Sequence, residues 1–166
     1  LFRERAGNLK LDLELLGTLL TGITAVIAAF HLSLPDRSAS WALLPIPPFV
    51  LWLASSGYNC YRHWIVYGPD GWELGDSAQC FQFILLASVP LAVSLVIVLR
   101  RALPLTPVRV ALIGGLGVAG IAAFILQFFH PFDVTFMDLG IHLVAVGLVV
   151  ALTGLTESLA RRRAKG

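Results

Sequence analysis

Charge is scarce in this chain: twelve lysines and arginines and ten acids stand among 166 residues, while 57% of the residues are apolar. A mean hydropathy of +0.82 is far above that of a water-soluble domain. A soluble fold of this size cannot bury so much apolar surface, so the chain belongs in a bilayer. The formal charge of +2 is too small for a nucleic-acid partner, and the basic residues form no stripe along a face. Cysteine is scarce too, with Cys60 and Cys80 the only ones. There is no second pair to relay electrons, as a quinone-coupled thiol oxidase requires. Zinc-type pairs of the C-x-x-C or H-x-x-H kind are missing, as is an EF-hand loop. No complete catalytic constellation is present, so neither an enzyme nor a cofactor is expected.

What the chain does have is long apolar runs. Five segments, approximately Leu13–Leu34, Trp41–Tyr58, Cys80–Leu99, Val108–Phe129 and Val134–Leu155, are each about 20 residues, enough to cross a hydrocarbon core of roughly 30 Å as helices. The expected fold is an all-α, polytopic transmembrane bundle forming a single domain over residues 1–166. Its connections are a turn at Pro35–Ser40, a long loop at Asn59–Gln79, a basic turn at Arg100–Pro107 and a tight turn at His130–Asp133. One face collects Arg37, Arg100, Arg101, Arg109, Arg161, Arg162, Arg163 and Lys165, whereas the other has only Arg3, Arg5, Lys10 and Arg62. By the positive-inside rule the C-terminal end is cytoplasmic, and the Cys60–Cys80 loop faces out, into the periplasm of a bacterium. The start "LFRERAGNLKLD" then lies outside the cytoplasm without a signal peptide, so the expectation is that an earlier transmembrane span precedes Leu1.

Several motifs carry competing readings. "GLGVAG", Gly115 to Gly120, fits the dinucleotide fingerprint, but that fingerprint requires a preceding strand. In a membrane helix Gly115, Ala119 and Ala123 instead make a small-residue face for close helix packing. Pro45, Pro47 and Pro48 fit the first turns of the second span, and Pro90 bends the third. Asp138 and His142 are four residues apart, so carboxylate and imidazole share a helix face, either as a structural pair or as a proton relay. His31 reads as a histidine snorkelling to the interface. The aromatics Tyr58, Tyr61, Trp64, Tyr67 and Trp72 read as an interfacial belt, and Asp70, Glu73 and Asp76 as weak cation attractors. Cys60, with His63 three residues on, and Cys80 close the outer loop as a staple or as a sensor. A disulfide there would restrain the unfolded chain by roughly 3 kcal/mol on the loop-entropy model.

The strings "LSLPDRSASWALLPIPPFVLWLASSGYNC", "CFQFILLASVPLAVSLVIVLRRALPLTP" and "GGLGVAGIAAFILQFFHPFD", followed by "DLGIH", resemble the NrsF family of integral-membrane anti-sigma factors. The resemblance runs in order through nearly the whole chain. It implies a six-span inner-membrane protein that holds an extracytoplasmic-function sigma factor inactive and releases it under stress, heavy-metal stress being the type case. The first span and a cytoplasmic tail would precede Leu1. It also implies that Cys60 and Cys80 are the outward sensing pair, with His130 and Asp133 matching the family's outer turn. The partners so implied are membrane lipid and the sigma factor, with no direct contact to nucleic acid. Where some members carry a third cysteine after the histidine, this chain has Pro131. A different class stays open beside it, a small ion- or proton-coupled transporter using Asp138 and His142, although no inverted repeat is detectable. A membrane thiol oxidoreductase is the third reading.

Overall fold

The computed structural model describes residues 9–68, 74–101, 105–129 and 136–165. Among them the chain forms helix α1 (Leu9–Ser33), a 3-10 turn (Ala39–Leu43), and helices α2 (Ile46–Tyr67), α3 (Leu74–Arg100), α4 (Pro107–Leu126) and α5 (Phe136–Lys165). Among the described residues five helical stretches are long and apolar enough to cross a membrane, as the sequence predicts.

The second span departs from its predicted bounds at both ends. Prolines lack the N–H that a helix interior uses, so they fill its first turn. Pro45 is the N-cap and Pro47 and Pro48 follow at once, which starts the α-helix at Ile46 rather than at Trp41. Trp41 belongs to the 3-10 turn and stacks on His31, with ring centroids 3.7 Å apart. His31 is therefore packed against a ring instead of reaching for the interface alone.

At the other end, α2 does not stop at Tyr58 but continues for nine more residues, to Tyr67. What stops it is Gly68, whose φ of 78° suits a residue without Cβ and whose N–H donates to the Trp64 carbonyl at 2.9 Å. Helix α3 then begins at Leu74. The long Asn59–Gln79 loop is thus replaced by a connection over residues 68–73, and both cysteines lie inside helices. Polar side chains in "YNCYRH" read as loop in the sequence; within the bundle some of them find partners, so the helix can continue through them.

Helix α4 is the central element, packed by α1, α3 and α5, while α2 lies on α1 and makes a smaller contact with α5. Small residues decide this. A Cβ on Gly120 would stand 2.9 Å from the Gly22 nitrogen, and one on Gly117 3.0 Å from the Val26 nitrogen. The backbones of α1 and α4 therefore touch, as small residues permit in lipid. The predicted packing face is found on α5, where a Cβ on Gly115 would be 3.1 Å from the Val150 Cα and Ala119 clusters with Val146 and Val149. The Gly117–Gly120 face toward α1 is an addition to it. Helix α2 meets α1 in the same manner, since a Cβ on Gly17 would be 2.9 Å from the Trp52 Cα.

Candidate functional site

The N-terminal end of α1, the C-terminal end of α2 and the N-terminal end of α5 lie at one end of the bundle. Glu14 stands three residues before Gly17, so it shares the face of α1 that approaches α2. On α2, Trp52, Ser56, Asn59 and Cys60 follow one another at helical spacing and form a single stripe. The close approach at Gly17 and Trp52 thus brings the Glu14 carboxylate against Ser56 and Asn59. Ser56 Oγ donates to Glu14 Oε1 at 2.8 Å, and Asn59 Nδ2 donates to Glu14 Oε2 at 3.3 Å. Both carboxylate oxygens are engaged by the neighbouring helix. Thr18 Oγ1 in turn donates to the Glu14 main-chain carbonyl at 3.1 Å.

Glu14 is 9% exposed and Cys60 1% exposed. A carboxylate inside an apolar span is costly unless donors meet it, which is what Ser56 and Asn59 do. Cys60 lies on the same stripe, and the carboxylates of Glu14 from α1 and Asp138 from α5 both bear on it electrostatically. Asp138 is buried in the first turn of α5, where the helix dipole favours a negative charge. His142 Nδ1–H donates to the main-chain carbonyl of Asp138 at 2.7 Å. This bond orients the imidazole along its own helix and requires the proton on Nδ1.

Cys80 has different surroundings. It is buried among Ile84 of α3, Ala122 and Leu126 of α4 and Ala145 of α5, with Phe81, Phe83 and Ala87 packed around them. The two sulfurs are not joined in a disulfide. Cys60 belongs to the stripe of α2 that faces α1, and Cys80 to the cluster between α3, α4 and α5. They share one neighbour, α5, which brings Asp138 to Cys60 and Ala145 to Cys80.

The sequence-predicted site residues therefore separate into groups. Cys60 and Asp138 come within electrostatic range of one another, with His142 tied to Asp138, and Cys80 packs in the apolar cluster between α3, α4 and α5. His63 lies on α2 one turn beyond Cys60. His130 and Asp133, like Asp70 and Glu73, lie outside the described residues. Among the described residues no three His, Cys, Asp or Glu side chains are grouped so as to hold a metal ion. Sequence reasoning passed over Glu14, Ser56 and Asn59. The signal for Glu14 was a carboxylate inside an apolar run with a glycine one turn later.

The chain matches the family model NrsF, negative regulator of sigma F, over residues 3–162. No curated protein and no solved structure matches it.

Proposed function

Since the chain belongs to the NrsF family of negative regulators of sigma F, we propose that it is an anti-sigma factor of the bacterial inner membrane, which sequesters an extracytoplasmic-function sigma factor and releases it when stress acts on its periplasmic cysteines. The observation that carries this reading is the family match, which runs through all five helices instead of a single motif. Release on a signal requires two arrangements of the bundle, and a ligand shifts their balance only by its differential affinity for them.

The thiols supply a chemical handle for such a ligand. A soft metal ion or an oxidant that reacts with a buried thiol adds volume and changes charge in a close-packed site, which favours an arrangement that has opened there. Cys60 and Cys80 are both buried, so reaction follows opening and stabilises it. His63, His130 and Asp133 are accessory candidates.

The test is co-purification from membranes. The whole protein, tagged and extracted in mild detergent, is expected to bring down a sigma factor from unstressed cells and to lose it after exposure to cadmium(II). Absence of any sigma factor in both samples would refute the assignment. Retention of the sigma factor after exposure, in cells that mount a sigma-dependent response, would refute the release step.

A further inference from the structure

We infer that Glu14 is a positioning residue for the response, a latch that holds α2 on α1 and that opening at Cys60 releases. The inference deepens the proposed sensing role of Cys60 and rests on it. Glu14 spends both carboxylate oxygens on α2, at 2.8 Å to Ser56 and 3.3 Å to Asn59. An apolar side chain at this position would fill the space without any desolvation penalty, so these two bonds are not needed merely to fill the bundle. They fix where α2 sits along α1.

Ser56, Asn59 and Cys60 stand on one stripe, so whatever displaces the Cys60 sulfur displaces both donors with it. The Asn59 bond is already at the long limit for an N–H donor and is the first to fail. The remainder of the bundle resists the same displacement. Helix α1 is bound backbone to backbone to α4 at Gly22, Gly117 and Gly120, and α4 is enclosed by α3 and α5. Helix α2 lacks such enclosure, with α1 as its main contact and α5 as a minor one. Among the described residues, the charged groups that act on Cys60 are Glu14 on α1 and Asp138 on α5. Movement of α2 away from α1 therefore separates Cys60 from Glu14 while leaving Cys80, between α3, α4 and α5, in place.

The two thiols report this difference directly. Purified whole protein is treated with N-ethylmaleimide and the alkylation rate of each cysteine is followed by mass spectrometry. The variants are Glu14→Gln, which presents an amide N–H where a donor already points, and the double variant Ser56→Ala/Asn59→Ala, which removes the donors and leaves Glu14 intact. In both, Cys60 is expected to react about tenfold faster, the scale set by losing one such hydrogen bond, while Cys80 keeps its wild-type rate. Basal sigma-dependent reporter output rises in the same variants without inducer.

An unchanged Cys60 rate in both variants overturns the latch. Equal acceleration of both thiols also overturns it, because Glu14 would then hold the bundle as a whole. The outcome is separable from that of the proposed function. If Cys60→Ser abolishes induction while the Glu14 and Ser56/Asn59 variants respond normally, the latch falls and the sensor stands. If Cys60 alone accelerates but no sigma factor ever co-purifies, the latch stands and the anti-sigma reading falls.

Discussion

Cys60 and Cys80 are the same residue type in opposite environments, which gives them different tolerances to one isosteric change. Serine replaces a weakly polar thiol by a hydroxyl that demands partners when buried. Cys80 packs against the apolar side chains of Ile84, Ala122, Leu126 and Ala145, contacts that the smaller and more polar serine weakens, so Cys80→Ser is expected to cost roughly 1 kcal/mol, lowering the melting temperature in detergent. Cys60 lies on the polar stripe of α2 with Ser56 and Asn59, within electrostatic range of the Glu14 and Asp138 carboxylates, and Cys60→Ser is expected to melt closer to the wild type. On the proposed reading this well-folded variant is the one that loses induction by cadmium(II); equal melting losses in the two variants would show that the environments do not differ as described. The thiols were conspicuous in the sequence, whereas their separation was not. Spacing along one helix tells which residues share its face, as it did for Asp138 and His142, but not which helix that face meets. For the same reason Glu14 was passed over: its role exists only where Gly17 admits α2.

At the scale of the element, α4 is held by contacts that leave no room for a side chain on either of two faces. Gly120→Leu puts four carbons where the Gly22 backbone lies, and overpacking of this kind costs typically 1–3 kcal/mol or more when backbone must move. The control is Gly57→Ala, because a Cβ on Gly57 meets nothing within 4 Å. That change is expected to be neutral or to stabilise by up to about 1 kcal/mol through helix propensity. Thermal unfolding followed by far-UV circular dichroism in detergent measures both, and equal melting of Gly120→Leu and wild type would place this face of α4 against lipid. Helix number and order were legible because continuous apolar runs of about 20 residues cross a bilayer as helices, which satisfy their own backbone groups. The end of α2 was not, since "YNCYRH" is polar enough to read as loop while Asn59 in fact bonds Glu14. The Gly68–Pro69 pair, a helix stop in its own right, was the better marker.

At the scale of the whole molecule, one end of the bundle holds Glu14, Cys60 and Asp138 and the other holds the exposed Arg37, Arg101 and Arg109. Helix α5 has 30 residues, and at 1.5 Å per residue it is about 45 Å long against a hydrocarbon core of roughly 30 Å. Its start carries the buried Asp138 within the site, so the excess length emerges at the basic end, where Arg161, Arg162 and Arg163 are exposed. Glu157, paired to Arg161 at 3.6 Å, offsets only one of these charges. The positive-inside rule then predicts a cytoplasmic C-terminus and a periplasmic thiol end. Fusion of alkaline phosphatase after Gly166 is expected to be inactive and fusion of green fluorescent protein there to fluoresce, while phosphatase inserted after Gly71 is expected to be active. Replacing Arg161, Arg162 and Arg163 together by glutamine should leave this pattern intact, because Arg100, Arg101 and Arg109 still flank the turn between α3 and α4 on the same side. Active phosphatase at the C-terminus would invert the orientation, put the thiol end in the reducing cytoplasm, and remove the route by which an external metal or oxidant meets Cys60 before anything inside the cell does.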